Sequence, residues 1–242
     1  MSNITLYKGD CLKEMKKLPD KSVDLILCDL PYGTTSCKWD NIIPFDDLWK
    51  EYKRIITDTG VIALFGDGSL FTAKLMLSNE KWFKYNWYWK RSLASNFFSC
   101  KKQPRFRIET ISIFYNKQPI YNPQIEEGKP YKGRNDTNKI NTSQTTVNSK
   151  RIGEDNTGTR YPSNIIEFSN PNQNRLHPTQ KPVPLLEYLI KTYTIEGMTV
   201  LDNTMGSGST GVAAKNLNRE FIGIEIDENY YKIAEERING IK

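Results

Sequence analysis

Residues 199–211 read TVLDNTMGSGSTG. Thr199 to Asp202 is an apolar run of strand length. The stretch Gly206-Ser207-Gly208-Ser209-Thr210-Gly211 then carries the spacing G-x-G-x-x-G, and a helical pattern opens from about Ser209. Between a strand and a helix, this spacing makes a ligand loop. Glycines let the backbone approach closely, and the helix N-terminus offers unpaired N–H groups to an anion. A second strand is predicted over Phe221–Ile226, and Glu225 stands 19 residues after Gly206, where an acid would hold ribose hydroxyls.

Two cofactors suit such a loop: a dinucleotide through its pyrophosphate, or S-adenosylmethionine through its methionine carboxylate. After the second strand only an amphipathic helix over 228–239 remains, so the rest of the sheet is expected from the N-terminal half, in permuted order. That half supplies it. Ile4–Tyr7 is a short strand, and Leu12, Met15 and Leu18 follow at helical spacing until Pro19-Asp20. Val23 to Cys28 (VDLILC) is the continuous apolar run of a strand buried on both faces of a parallel sheet. The spacing of Phe45, Leu48, Trp49, Tyr52, Ile55 and Ile56 predicts a helix over 45–56, stopped by Thr59-Gly60 before a strand at Val61–Phe65. Ser69 caps a further helix to about Ser78, and Trp87–Lys90 and Ile111–Tyr115 read as strands. A helix over about 184–193 precedes the opening motif. The fold class is therefore α/β, a doubly wound, mostly parallel Rossmann-like sheet in circularly permuted order. Its middle is polar: residues 133–160 hold three aliphatics among five Asn and six Thr. Such a stretch buries too little apolar surface to offset its ordering entropy, and reads as a flexible insert or one that orders on a partner.

The chain has 242 residues and a formal charge of +6, and its Lys and Arg are unevenly placed. Residues 81–107 carry eight basic side chains and no acid, so the remainder sums to −2. The same window holds nine aromatics. It reads either as a surface for a polyanion with stackable faces or as a buried aromatic strand with a solvated basic edge. Four cysteines without C-x-x-C spacing and a single histidine, His177, support neither a zinc site nor a disulfide framework. A reducing cytoplasm suits that usage. No apolar run approaches the ~18 residues of a membrane helix, and Met1–Leu6 lacks the layout of a secretion signal.

Asp29-Leu30-Pro31-Tyr32 follows directly on the strand 23–28. At the carboxyl end of a parallel strand, it stands where open α/β sheets bind substrates. An exocyclic amine on a nucleobase is planar and poorly nucleophilic. Asp29 and the carbonyl of Leu30 can each accept one of its protons, Pro31 fixes the turn, and Tyr32 offers a face to stack on an extruded base. Methyl transfer to the amine then needs positioning and electrostatics rather than a strong general base.

With Asp29–Tyr32, the segment His177-Pro178-Thr179-Gln180-Lys181-Pro182, Asp202–Gly208 and Gly9-Asp10-Cys11 in this order, the chain resembles the beta-class (permuted) bacterial and phage DNA amino-methyltransferases. The resemblance implies S-adenosyl-L-methionine as cofactor, double-stranded DNA as partner and no metal. Asp29, Leu30, Pro31 and Tyr32 would be catalytic. Asp10 and Cys11 would contact the cofactor's adenine, and Asp202, Gly206, Ser207, Gly208, Ser209 and Thr210 its methionine part. Glu225 would hold the ribose, with Thr179 and Lys181 lining the same pocket. Residues 1–116 and 176–242 would be the catalytic and cofactor-binding halves, and 117–175 a target-recognition insert. Lys90, Arg91, Lys101, Lys102, Arg105 and Arg107 are the expected DNA contacts.

A leading Asp rather than Ser points to N6 of adenine over N4 of cytosine. The competing readings are an N4-cytosine enzyme, an RNA or protein-amide methyltransferase, a non-catalytic DNA-binding protein of this fold and, last, a dinucleotide oxidoreductase. A homodimer and a cognate restriction endonuclease are the protein partners the resemblance admits. The chain departs from the family pattern at Leu30 for Pro, at Asn203-Thr204 for Pro-Phe, and in lacking a His before Glu109.

Overall fold

The computed structural model describes residues 3–33, 41–133, 140–142, 145–147, 154–170 and 180–240. In chain order the first body contains β1 (Ile4–Lys8), α1 (Cys11–Met15), β2 (Val23–Cys28), α2 (Phe45–Ile55), β3 (Ile56–Gly66), α3 (Leu70–Leu77), β4 (Phe83–Arg91) and β5 (Ile108–Phe114). A second body, Pro123–Ser163, holds β6 (Glu126–Glu127) paired with β9 (Thr159–Arg160), and β7 (Ile140–Thr142) paired with β8 (Thr145–Val147). The first body resumes with β10 (Ile165–Phe168), α4 (Val183–Tyr193), β11 (Thr199–Asp202), α5 (Ser209–Asn216), β12 (Glu220–Glu225) and α6 (Glu228–Asn239). Residues 117–122 and 164–170 of the expected insert thus belong with the sheet.

Eight strands form one sheet in the order β1-β12-β11-β2-β3-β5-β4-β10. All neighbours are parallel except β5, which runs antiparallel to β3 and β4. The C-terminal β11 and β12 lie between β1 and β2, so the two halves of the chain complete a single sheet, as the permuted reading requires. The period-2 alternation of strand side chains assigns each face its own core. Leu25, Leu27, Val61, Ala63 and Phe65 pack with Leu185, Leu189, Ala213 and Ile238 of α4, α5 and α6. Ile26, Cys28, Ile62 and Leu64 pack with Met15, Trp49, Tyr52 and Leu75 of α1, α2 and α3. Each fully buried side chain of this kind contributes roughly 1.5–3 kcal/mol relative to exposure.

Local signals set the helix ends. Ser69 caps α3 by accepting from Phe71 N, and Asp227 caps α6 by accepting from Asn229 N and Tyr230 N. The expected stop at Thr59-Gly60 is displaced. The helix ends at Ile55, and β3 begins at once, running through Gly60. A Cβ at Gly60 would stand 2.9 Å from the carbonyl oxygen of Asp24, so glycine lets β2 and β3 pair closely there. Among the described residues no helix is long and apolar enough to cross a membrane. None of their His, Cys, Asp and Glu residues form a group of three or more able to hold a metal ion.

Candidate active site

The chain leaves β11 through α5 on one face of the sheet and leaves β2 through α2 on the other. The crevice between these adjacent strands is therefore a topological switch point, and the loops at their carboxyl ends meet there. Asp29 emerges from β2. Its Oδ1 accepts a hydrogen bond from Tyr32 Oη at 2.5 Å, and its Oδ2 accepts from Lys181 Nζ. The Tyr32 ring packs on Phe71 of α3, with centroids 4.8 Å apart. Burial first, then the charges of Asp29 and Glu109, raises the Tyr32 phenol well above its ordinary pKa, so it remains a donor.

Lys181 precedes α4 and is buried. Its ammonium also faces Glu109 Oε2 at 3.4 Å and lies 5.0 Å from the centroid of the Phe65 ring. Glu109 in turn pairs with Arg91 at 3.0 Å. Arg91, Glu109, Lys181 and Asp29 therefore form a row of alternating charge. Burial lowers the Lys181 pKa, but the charges of Asp29 and Glu109 outweigh it, and the amine titrates above its ordinary value. Glu109 entered the sequence reading only as the acid after a missing His of the family pattern, with no role, because its partners Arg91 and Lys181 lie on other elements.

The glycine loop is anchored from three sides. Asp202 is buried, with Oδ2 accepting from Thr210 Oγ1 at 2.6 Å and Oδ1 from Thr204 N at 3.1 Å. Burial pushes its pKa up to about 7, the Thr210 bond opposing. Gly206 N donates to Glu225 Oε2 at 2.8 Å, and Asp227 N donates to Glu225 Oε1 at 2.8 Å. Gly206 (φ 51°) and Gly208 (φ 78°) occupy the left-handed region. A Cβ at Gly208 would come within 2.9 Å of Ala234 Cβ on α6. Arg237, also on α6, donates to the carbonyl of Ser207 and, at 3.0 Å, to its hydroxyl. Sequence reading missed Arg237, which lies on an ordinary amphipathic helix.

Asn203 is buried at the base of the loop. Its Oδ1 accepts from Tyr52 Oη at 2.6 Å and Cys28 Sγ at 2.8 Å, while its Nδ2 has no partner among the described residues. Across the crevice Asp10 caps α1 through Lys13 N at 3.1 Å, and Gly9 N donates to the carbonyl of Glu225 at 2.9 Å. Burial of Cys11 pushes its thiol up to about 11, so it is a neutral wall.

These loops enclose a cavity of about 480 Å³. The N-terminal half contributes Asp10, Cys11, Asp29, Leu30, Pro31 and Tyr32. The C-terminal half contributes Lys181, Asp202, Gly206, Ser207, Ser209, Thr210 and Glu225. Gly208 lies beneath the loop against α6, and Thr179, like His177, falls outside the described residues. The volume suits a cofactor-sized ligand. Four carboxylates, a tight glycine loop and an Asn203 amide left open among the described residues suit a ligand bearing a cation, hydroxyls and a heterocycle.

The basic window divides between its two readings. Trp87 and Trp89 of β4 are buried in the core, as the aromatic-strand reading holds. Phe97, Phe98 and Phe106, between β4 and β5, are exposed. Lys90 pairs with Glu167 at 2.6 Å, and Arg91 is drawn inward to Glu109. Arg105 donates to the carbonyl of Ala94 at 2.5 Å and Arg107 to that of Ser92 at 3.1 Å, so both guanidinium groups brace main chain. Lys101 and Lys102 are exposed.

A DNA methylase family acting on N6 and N4 amines matches residues 23–236, and the chain belongs to it. The type II methyltransferase M.HpaI of Haemophilus parainfluenzae is 29% identical over 258 aligned positions, covering 97% of this chain and 74% of the relative. Among solved structures, the cytosine-N4-specific PvuII DNA methyltransferase matches 100% of this chain and 89% of its own at 19% identity, with a TM-score of 0.70. The M1.HpyAVI–SAM complex matches 97% of this chain and 99% of its own at 22% identity, with a TM-score of 0.63.

Proposed function

We propose that this DNA amino-methyltransferase methylates N6 of an adenine flipped from duplex DNA, with S-adenosyl-L-methionine as methyl donor. The observation that supports it best is the placement of the Asp29–Tyr32 tetrapeptide and the 202–210 loop on one cavity, at the ends of adjacent strands. A solved relative was crystallised with the same cofactor. When bound, the cofactor supplies a sulfonium methyl, an electrophile that needs no metal.

The chain's own groups then hold the amine. Asp29 accepts a hydrogen bond from one amine N–H and the Leu30 carbonyl a hydrogen bond from the other, which turns the nitrogen lone pair out of conjugation. Tyr32 and Lys181 already occupy one position on each carboxylate oxygen of Asp29, and each oxygen keeps a further lone pair for the substrate. They fix the rotamer and hold negative charge where the amine becomes positive. Asp202 and Glu225 are the acceptors for the cofactor's ammonium and ribose hydroxyls, with Asp10 and Cys11 on its heterocycle. Lys101 and Lys102, with the guanidinium groups around them, supply phosphate contacts, and the second body, Pro123–Ser163, reads the target sequence.

The choice of base rests on Asp29. The PvuII enzyme shares the fold and acts on cytosine, whereas a tetrapeptide led by Asp points, by resemblance, to adenine. Likeness to a type II methyltransferase extends the reading to protecting DNA from a cognate endonuclease. Methylation sequencing of DNA from cells expressing the chain tests the proposal. Modified adenines confined to one short motif are expected; N4-methylcytosine, or unmodified DNA, would overturn it.

A further inference from the structure

Residues 92–107, which join β4 to β5, contain four basic side chains and no acid, and Phe98 among them is fully exposed. The segment is built as a braced finger. Arg91 N donates to the carbonyl of Arg107 and Ser95 N to that of Phe106, both at 2.8 Å. The Arg91 guanidinium donates to Ser95 Oγ at 2.7 Å. Asn96, in the left-handed region at φ 63°, turns the chain into a single 3₁₀ turn over Phe97–Ser99. Arg105 covers the Phe97 ring at 5.5 Å, which leaves Phe98 presented to solvent.

The finger is also well placed. β4 and β2 run in the same direction, so Arg91 and Asp29 leave the same edge of the sheet. Three strand spacings, about 14 Å, separate them. That is close to the ~12 Å width of a major groove. The ion pairs Arg91–Glu109 and Lys181–Asp29, linked by Lys181–Glu109, tie the finger's root to the tetrapeptide.

We propose that Phe98 is a wedge that enters the base stack at the methylation site while the cationic finger holds the flanking phosphates. This rests on the reading of the chain as a methylase of flipped bases. Extruding a base leaves a gap that an apolar ring can fill, and positive charge around that ring matches the backbone on either side. Its ring meets only the Phe97 ring edge-on among the ring contacts of the described residues, with centroids 6.1 Å apart, and no packed core among them accounts for a phenylalanine so exposed on a cationic turn.

The test uses the full chain, F98A and F98W. Single-turnover methylation is compared on a matched duplex and on one whose target base is mispaired. F98A should methylate the matched duplex about tenfold or more slowly and recover most of that loss on the mispaired one, since the unpairing cost is already met. F98W should stay close to wild type, and cofactor affinity should be unchanged in both variants. Equal rates for F98A and wild type on matched DNA, or an equal loss on both duplexes, would overturn the wedge alone. A wild-type chain that methylates neither duplex would overturn the underlying DNA reading as well.

Discussion

Thr204 Oγ1 donates a hydrogen bond to the main-chain carbonyl of Asp29 across 3.1 Å, although 175 positions separate the two residues. The contact joins the loop after β11 to the tetrapeptide after β2, and so links the cofactor side of the cavity to the amine side. T204V is expected to lose about 1 kcal/mol of stability and to slow methyl transfer several-fold, with T204S near wild type. Denaturant unfolding and single-turnover rates check both effects. An unchanged rate in T204V would show that the link is packing only.

Lys181 separates two carboxylates that would otherwise share a buried space. K181M leaves Asp29 and Glu109 without their common cation and is expected to destabilise the fold by roughly 3–5 kcal/mol. Adding E109Q removes one of the stranded charges, so the double variant should be more stable than the sum of the single losses allows. Additive losses in a denaturation cycle would show that the row of charges is not coupled.

Asp202 has a pKa raised to about 7 by burial, against an ordinary 3.8. Its stabilising contribution is present below the unfolded value and is lost as pH rises through about 7, where the native state must hold the ion. D202N removes that cost. Without cofactor, the variant should gain stability over wild type between pH 4 and pH 7, on the order of 4 kcal/mol across the range. Cofactor affinity should behave oppositely. In wild type it should fall as pH drops from 8 to 6, because the ammonium needs the carboxylate, and in D202N it should be weak and flat. Unfolding and calorimetric titrations at several pH values check both trends.

Gly208 combines a left-handed φ of 78° with a Cβ position 2.9 Å from Ala234 Cβ. G208A is therefore expected to cost more than the 1 kcal/mol or so of a typical substitution and to weaken cofactor binding more than tenfold. Gly197 has a similar φ of 80° but open space around it. G197A should cost less and spare the cofactor.

How far the sequence could be read depended on whether a signal was local. Caps, apolar runs and the glycine spacing placed α3, β2, β11 and the loop before α5 within a residue or two. Gly60 misled because glycine ends helices and also permits close strand pairing, and only the neighbouring strand distinguishes the two. The cavity's two halves were visible as motifs, but the bonds between them were not. Thr204, Asn203, Glu109 and Arg237 act through partners far away in sequence, and their residue types are common everywhere. The aromatic window was ambiguous because it holds two structures, a buried strand and an exposed turn, and composition averages them.

The central claim is that Asp29 and the 202–210 loop form one site for methyl transfer to adenine N6. Purified chain, labelled S-adenosylmethionine and duplex DNA, followed by digestion and mass spectrometry of the nucleosides, test it most directly. Labelled N6-methyladenine is the predicted product, abolished in D29A while cofactor affinity is largely kept. Label in N4-methylcytosine, or in no nucleoside at all, would contradict it.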